Sequence, residues 1–212
     1  MSPLLEHRPP TNASRARVER RLSAGPSVPP TRDAYVAFGN VEARNTLQAR
    51  IEVPLLIKAL ALPRGGRVLE IGCGRGIALP VLAERLAPRA LVGVDIDPVL
   101  VAAATRHVRT LGVQADVHLA DVRDLPFESA SFDLVIDFGT CYHVSGRAAG
   151  ARAALREVAR VLRRGGLFVH ETPIAQLLAH PVRSFGRTLP WKAVPVFKPW
   201  RSAFLWTVRR TT

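Results

Sequence analysis

Five apolar runs lie between residues 67 and 172, and stretches with helical spacing or turn residues separate them. The second, third and fourth runs close on acidic residues, which are Asp95, Asp121 and Asp137. Strands that alternate with helices predict an α/β domain with a doubly wound, mostly parallel sheet. Because the strands' carboxyl ends meet at one edge of such a sheet, we expect these acids to line one ligand-binding crevice.

The N-terminal part of the chain divides into two segments. Residues 1–32 carry two proline pairs and six arginines, and we expect them to form a basic, mobile or irregular arm. Residues 33–62 show helical spacing, with Leu47, Ile51, Leu55 and Leu56 on one face. Everything after the arm is expected to form one domain, because a chain of 212 residues can bury a single full core.

Residues 173–212 close this domain, which we expect to span residues 33–212. After a broken helical pattern, residues 191–197 and 203–210 predict an antiparallel hairpin. The region contains five arginines, two lysines and no acid. It also holds all three tryptophans, which are Trp191, Trp200 and Trp206.

A glycine-rich turn follows the first apolar run. It covers residues 70–76, with the sequence Glu-Ile-Gly-Cys-Gly-Arg-Gly, and leads into a helical pattern. Glycines at this point let a ligand approach bare backbone beside a helix N-terminus. A dinucleotide-binding turn would place its third glycine where Ile77 stands, which argues against a pyrophosphate ligand. The spacing instead resembles motif I of the class I S-adenosylmethionine (SAM) dependent methyltransferases.

The resemblance covers residues 67–172, in order and with the spacing of that family. Residues 132–135 and 155–166 resemble in particular the small-molecule methyltransferases of ubiquinone and menaquinone biosynthesis. The resemblance implies a Rossmann-like fold with a mostly parallel seven-stranded sheet that ends in an antiparallel C-terminal hairpin. It also implies that residues 33–62 form a helical lid over the cofactor.

The resemblance further implies a site for SAM and its product S-adenosylhomocysteine (SAH). In the family, the acid matching Asp95 holds the ribose hydroxyls, the acid matching Asp121 accepts from the adenine amino group, and the amide matching Val122 meets the ring. Asp137 either contacts the cofactor or orders the loop that follows it, and Cys73 is interpreted as a small half-buried thiol, not a nucleophile. The cofactor-binding residues expected from the resemblance are Glu70, Gly72, Cys73, Gly74, Asp95, Ile96, Asp121, Val122, Asp137 and Phe138.

The methyl acceptor is expected to lie beyond the fourth strand, against residues 137–144. Within that segment Thr140, Tyr142 and His143 are the candidates for substrate contact. His143 is also the candidate general base, because an imidazole titrates near neutrality and can take a proton from a phenol or enol. Helix capping or packing within the loop is the alternative role for His143.

Aromatic residues outside the core supply further candidates for substrate contact. Tyr35 is a candidate lid residue, and Trp191 and Trp200 are candidates for the roof of the acceptor pocket. Ordinary packing of the helix and the hairpin explains the same aromatics equally well. Arginine interleaved with tryptophan also suits an anionic membrane surface, so peripheral membrane contact through residues 173–212 is a further alternative.

Several sequence motifs of other methyltransferases are absent, which narrows the acceptor. The fourth strand continues as Asp-Phe-Gly-Thr over residues 137–140, not as the Pro-Pro motif of adenine or glutamine N-methylation. No acid follows Glu171, although the ribose 2′-O-methylating tetrad needs one, and the Asp-Asn pair of magnesium-dependent catechol enzymes is missing. The interpretation that remains is a metal-independent enzyme acting on a small, apolar or aromatic metabolite.

The charge and cysteine content change this picture little. The net charge of +13 lies mostly at the two ends, +4 in residues 1–32 and +7 in residues 172–212, so nucleic-acid binding is not favoured. Two cysteines, no apolar run of about 18 residues and no apolar leader predict a cytoplasmic protein. The alternative functions are a SAM-fold binding protein or non-methylating enzyme and, less favoured, an RNA or ribosome methyltransferase.

Overall fold

The computed structural model describes residues 12–24, 41–144, 147–171, 191–194 and 205–210. The α-helices are α1 (Asn12–Ala24), α2 (Val41–Leu47), α3 (Val53–Leu60), α4 (Ala78–Leu86), α5 (Pro98–Thr110), α6 (Thr140–His143) and α7 (Arg147–Val161), and a π-helical turn (Gln48–Glu52) joins α2 to α3. The strands are β1 (Arg67–Ile71), β2 (Ala90–Asp95), β3 (Asp116–Leu119), β4 (Phe132–Asp137), β5 (Leu162–Glu171), β6 (Trp191–Val194) and β7 (Leu205–Arg210).

The first five strands form a parallel sheet in the order β3-β2-β1-β4-β5. The order reverses between β1 and β4, and the crevice outside the strands' carboxyl ends at such a reversal is where open α/β sheets bind ligands. The register brings the ends together, because Ile71 lies opposite Val94 on one side and Asp137 on the other. The expected Rossmann-like α/β fold with a parallel sheet is therefore confirmed.

Two short strands lie beyond β5. β7 pairs antiparallel with β5, with His170 opposite Trp206, and β6 pairs antiparallel with β7. The structure describes the backbone of β6 and β7 but not their side chains.

The sheet has a separate hydrophobic core on each face, because successive strand residues point to opposite sides. Val68 of β1 belongs to the core formed with α3, α4 and α5. Its neighbour Leu69 belongs to the core formed with α7 and with the loop between β3 and β4. Of the described helices, none combines the length and apolar character that crossing a membrane would require.

The expectation of an irregular arm over residues 1–32 is wrong for Asn12–Ala24, which forms helix α1. Val18 and Leu22 pack against the core on the α7 face of the sheet, and Arg21 forms an ion pair with Asp124. The part of the chain between β3 and β4 contains no helix. On this face of the sheet, α1 adds apolar side chains to the core.

The helical expectation for residues 33–62 agrees with the structure over residues 41–60, but the expected apolar face is divided. Val53 and Leu56 are buried, whereas Leu47, Ile51 and Leu55 are 44%, 56% and 56% exposed. The π-helical turn inserts extra backbone between α2 and α3, and this changes which side chains face the core. Residues 33–40 lie outside the described residues.

The glycine pair Gly165 and Gly166 lies within the fifth strand and not at the end of the helix before it. Helix α7 ends at Val161, and β5 begins directly at Leu162. Leu162 pairs with Phe132 and Leu167 pairs with Leu134, so the strand carries a bulge that contains the two glycines.

Candidate functional site

The turn after β1 places its glycines in a backbone conformation that other residues rarely adopt. Gly72, Gly74 and Gly76 have φ angles of 63°, 55° and 75°. A Cβ atom on Gly72 would lie 1.8 Å from Oγ1 of Thr140. Position 72 therefore needs a glycine, because the loop after β4 comes too close for a side chain there. This contact could not be predicted from the sequence.

Gly74 has different surroundings. A Cβ atom added there would meet no atom within 4 Å, so the space beside it is open. Its backbone N–H donates to Oδ2 of Asp95 over 2.8 Å. The turn and the acid at the end of β2 therefore form one rigid cradle with bare backbone on its open side.

Asp95 is 8% exposed and is held by backbone amides through both carboxylate oxygens. Besides the bond from Gly74, Oδ1 accepts from the N–H of Asp97 over 3.0 Å. Burial raises the pKa of Asp95, and these backbone hydrogen bonds oppose the shift only in part. A carboxylate has about four acceptor positions, so Asp95 retains capacity for the hydroxyls of a ligand.

Two further residues expected near the turn lie close to Asp95. Cys73 is buried, and its pKa is raised well above the ordinary value, first by burial and then by the neighbouring charges of Glu70 and Asp95. A thiol in this environment stays protonated, which agrees with its interpretation as a small packing residue rather than a nucleophile. Glu70 is 2% exposed, and its charge acts on Cys73 together with that of Asp95.

Asp121, expected to meet the adenine amino group, is engaged by a side chain that the sequence reasoning missed. Its Oδ1 accepts from the backbone N–H of Arg123 over 2.8 Å, and its Oδ2 accepts from Nη2 of the same residue over 2.6 Å. The hydrogen bond to Asp121 raises the pKa of Arg123. An adenine amino group would have to share Asp121 with Arg123.

Asp137 is fully buried, with an exposed fraction of 0%. It accepts from the backbone N–H of Thr140 over 2.6 Å and from that of Cys141 over 3.2 Å. Its Oδ2 also lies 2.7 Å from Nδ1 of His170. Asp137 therefore orders the loop after β4, which is one of the two roles considered for it.

The electrostatics of this buried group favour an ionised carboxylate. Burial, the largest influence, would raise the pKa of Asp137, but the contact with His170 and the hydrogen bonds from Cys141 lower it below its ordinary value. The pKa of the Cys141 thiol is raised well above its ordinary value by burial and by Asp137. The pair is thus an aspartate and a neutral thiol.

Asp137, Cys141 and His170 also form a group whose ligand atoms lie within 4.8 Å of one another, as metal ligands do. Two ligands of a tetrahedral metal site are separated by roughly 3.3 Å, given metal–ligand distances near 2.0–2.1 Å. The 2.7 Å contact between Asp137 and His170 is shorter and fits a hydrogen bond instead. The expectation that the protein needs no metal stays a prediction.

Thr140 was expected to touch the substrate, and the structure shows a bond that it makes within the protein. Its hydroxyl donates to the backbone oxygen of Ile71 over 3.1 Å. Because Ile71 ends β1 and Thr140 follows β4, this bond joins the two strand ends on either side of the crevice. Thr140 thus connects the loop after β4 to the start of the glycine-rich turn.

The remaining expected site residues differ in how far the structure describes them. Ile96 is half-buried directly after β2, and Val122 and Phe138 are buried in the two cores. The backbone of Tyr142, His143 and Trp191 is described, but their side chains are not; Tyr35 and Trp200 lie outside the described residues.

Two residues of the site were missed by the sequence reasoning, Arg123 and His170. Arg123 stands two residues after Asp121, a spacing that permits the side chain to fold back onto the acid. His170 directly precedes Glu171 at the end of the fifth apolar run, so its place at the ligand-binding edge could have been read from the sequence. Its pairing with Asp137 depends on the register between β4 and β5.

Comparison with known proteins gives matches to the same part of the chain. Residues 68–166 match a family model described as a methyltransferase domain. The chain is 37% identical to the ubiquinone biosynthesis O-methyltransferase of Xanthomonas axonopodis pv. citri, over 58% of this chain and 51% of that protein. It is 35% identical to the phosphatidylethanolamine N-methyltransferase of Cereibacter sphaeroides, over 49% of this chain and 48% of that protein. The chain thus spans about half the length of these curated relatives.

Solved structures extend the fold comparison beyond that region. A SAM-dependent methyltransferase from Aquifex aeolicus aligns with a TM-score of 0.60 at 16% identity, over 77% of this chain and 90% of that chain. The [4+2]-cyclase SpnF aligns with a TM-score of 0.57 at 21% identity, over 81% of this chain and 83% of that chain. At these identities the likeness concerns the fold alone.

Proposed function

We propose that the chain is a class I SAM-dependent methyltransferase and that it transfers a methyl group from SAM to a small, apolar or aromatic metabolite without a metal ion. The observation that carries the proposal is the open cradle at Gly74, whose N–H is fixed by Asp95 at the adjoining strand end. The ligand edge of the sheet supplies the acids that a nucleoside needs, and bare backbone that a bulky side chain would obstruct.

The parts of the cofactor are assigned to the strand ends in order. Asp95 accepts from the ribose hydroxyls, while Asp121 and the backbone of Val122 meet the adenine ring beyond β3. The methionine part lies along residues 70–74, and Ile96 and Phe138 bound the site on either side. Cys73 and Asp137 support the turn and the loop from below, since both are buried.

SAM, when bound, supplies an electrophilic methyl group on a sulfonium. The protein therefore has to align the acceptor behind that methyl group and exclude water, and alignment can account for most of the acceleration. The loop held by Asp137 and Thr140 lies where the acceptor must approach, beside the cofactor turn. This explains why the cofactor residues are conspicuous in the sequence while the acceptor residues are not.

The acceptor side of the proposal uses segments that follow β4 and β5. Tyr142, His143, Trp191, Trp200 and Tyr35 are the residues we propose for contact with the acceptor. The two C-terminal strands extend the sheet to seven strands. Relatives named for a quinone pathway and for a phospholipid support an apolar acceptor. A cytoplasmic location stays a prediction.

The test separates cofactor binding from turnover. Isothermal titration should show metal-independent binding of SAM and SAH in the micromolar range, with EDTA present. Methyl-labelled SAM should then label an acceptor in a screen of metabolite extracts, 4-alkylphenols and phosphatidylethanolamine vesicles. Absence of binding to folded protein would overturn the proposal, whereas tight binding with no labelled product would favour a non-methylating enzyme or a binding protein.

A further inference from the structure

The segment between β3 and β4 carries the residues assigned to adenine, and it has no helix or strand of its own. It runs from Asp121 to Ser131, and a backbone hydrogen bond of 3.0 Å from the N–H of Asp124 to the carbonyl oxygen of Asp121 closes its first turn. Peptide groups in such a segment need hydrogen-bond partners elsewhere in the protein. The position of Asp121 therefore depends on what holds the residues that follow this turn.

Two side chains of α7 hold the backbone of Leu125, which directly follows the turn. Oε2 of Glu157 accepts from the N–H of Leu125 over 2.8 Å, and Nη2 of Arg160 donates to the carbonyl oxygen of Leu125 over 2.8 Å. Nη1 of Arg160 donates to the carbonyl oxygen of Phe127 over 2.7 Å. Three backbone groups of the segment are thus fixed by two side chains that stand one helical turn apart.

These two side chains also fix each other. Nε and Nη2 of Arg160 donate to Oε1 and Oε2 of Glu157 over 2.8 Å and 2.7 Å. A bidentate contact of this kind holds both planar groups in one orientation. The hydrogen bond to Glu157 is also the main reason why the pKa of Arg160 is raised. Because Leu125 and Phe127 are buried in the core on the α7 face, the segment is held by packing as well as by these bonds.

A second ion pair reaches the same turn from α1. Arg21 contacts Asp124, but the side chain of Asp124 is 65% exposed, whereas that of Glu157 is 17% exposed. Exposed ion pairs contribute little in water. The contact from α7, with its three bonds to backbone, is therefore the one that we expect to set the position of the turn.

We propose that Glu157 and Arg160 are positioning residues that give the cofactor site its selectivity for adenine. The inference rests on the proposed function, in which Asp121 accepts from the adenine amino group. Both residues act through the backbone of Leu125, which the closed turn links to Asp121. A carboxylate distinguishes an amino group from a carbonyl oxygen only within hydrogen-bond distance of the base, so a small shift of the turn removes the distinction.

Calorimetry with two ligands that differ at one position of the base tests the inference. SAH carries the amino group of adenine, and S-inosylhomocysteine carries in its place a carbonyl oxygen, which cannot donate to Asp121. The unsubstituted protein should bind SAH at least about tenfold more tightly. Arg160→Gln should weaken SAH binding by about tenfold and change the binding of S-inosylhomocysteine by less than about twofold, so that the preference is lost.

Two further variants separate positioning from general stability. Arg160→Lys keeps the positive charge and the apolar stem, but one ammonium group cannot occupy the positions of all three guanidinium nitrogens. It should lose the preference for SAH while its melting temperature stays close to that of the unsubstituted protein. Arg163→Gln is the matched control, because it removes an arginine that pairs with Asp133 near the beginning of β4. It should retain the affinity for both ligands.

The outcomes distinguish the inference from the proposed function. If the unsubstituted protein, correctly folded, binds neither ligand, the proposed function fails and the inference fails with it. A preference for SAH that survives in both Arg160 variants would overturn the inference alone. Equal binding of the two ligands by the unsubstituted protein, or an equal loss of both in the Arg160 variants, would overturn it as well, since these residues would then not act on the adenine end.

Discussion

The two edges of the parallel sheet use the same residue type in different ways. At the carboxyl edge, where the strands end, Asp95 and Asp137 accept backbone N–H groups from the turns that follow them. At the amino edge, where the strands begin, Asp133 accepts from the backbone N–H of Arg67 and forms ion pairs with Arg89 and Arg163. The carboxyl edge thus holds its acids through backbone N–H groups, whereas the amino edge surrounds its acid with arginine side chains.

The two arrangements serve different purposes, ligand binding at the carboxyl edge and stability at the amino edge. Backbone donors hold a carboxylate without adding bulk or opposite charge, so the acid can still receive a ligand. Arginines at the amino edge neutralise Asp133 and tie the beginnings of β1, β4 and β5 to the segment before β2. We therefore expect substitutions at the carboxyl edge to change cofactor affinity and those at the amino edge to change only stability.

The largest expected effect is that of Gly72→Ala, which tests whether the carboxyl edge tolerates any added bulk. The new Cβ would lie 1.8 Å from Oγ1 of Thr140, in a residue with a φ angle of 63°. Backbone strain and overpacking together should lower the free energy of unfolding by about 2–5 kcal/mol. Urea titration followed by circular dichroism measures the change.

Gly112 provides the matched control, since its φ angle is 65° and a Cβ there would meet nothing within 4 Å. Gly112→Ala carries the strain without the collision and should cost about 1 kcal/mol. Equal costs for the two variants would show that the loop after β4 does not press on the turn.

The second expected effect concerns Asp95→Ala. Removal of a charged acceptor for two ribose hydroxyls should weaken SAH binding by about 1–3 kcal/mol, measured by calorimetry. Asp133→Ala, at the other edge, should leave SAH affinity unchanged. An Asp133 variant that weakens binding as much as the Asp95 variant would remove the distinction between the two edges.

The parts of this architecture that local patterns encode could be predicted from the sequence. The glycine turn and the acids at the ends of β2 and β4 can be identified by residue type and by their position after apolar runs. The apolar runs also indicated the parallel strands, since buried strands need continuous hydrophobic segments.

Features that depend on register or on tertiary contact could not be predicted in this way. His170 meets Asp137 only because β5 carries a bulge that shifts its pairing with β4 between Phe132 and Leu134. Helix α1 has a weak apolar pattern, and the structure holds it through Val18, Leu22 and the ion pair between Arg21 and Asp124. These interactions join residues far apart in sequence, where periodicity carries no information.

The third expected effect is the pH dependence of stability at the amino edge. The pKa of Asp133 is lowered because hydrogen bonds and charge from Arg67, Arg163 and Arg89 outweigh burial, which would raise it. A carboxyl group whose pKa is lower in the folded protein stabilises the fold at pH values above its ordinary pKa of about 3.9. That stabilisation is lost as the pH falls through the folded-state pKa. Asp133→Asn should therefore cost about 1 kcal/mol at pH 7, with the same cost down to about pH 5 and a smaller one below that. Unfolding curves between pH 7 and pH 3 test this, and a constant difference would contradict it.

The smallest expected effect is that of Arg123→Ala, which asks whether Asp121 belongs with the acids that receive a ligand. Asp121 differs from Asp95, because an arginine side chain occupies both of its oxygens. If the adenine amino group has to share that carboxylate, removal of the guanidinium should raise SAH affinity by a few-fold, less than 1 kcal/mol on the scale of about 1.4 kcal/mol per factor of ten.

A double-mutant cycle with Asp121→Asn isolates this competition. The gain from Arg123→Ala should vanish once Asp121 has lost its charge, because the arginine then has no carboxylate to occupy. Calorimetry of the four proteins measures the coupling. A loss of affinity in Arg123→Ala that persists in the Asp121→Asn background would mean that Arg123 itself contacts the cofactor, and the edge would then bind its ligand through an arginine as well as through acids.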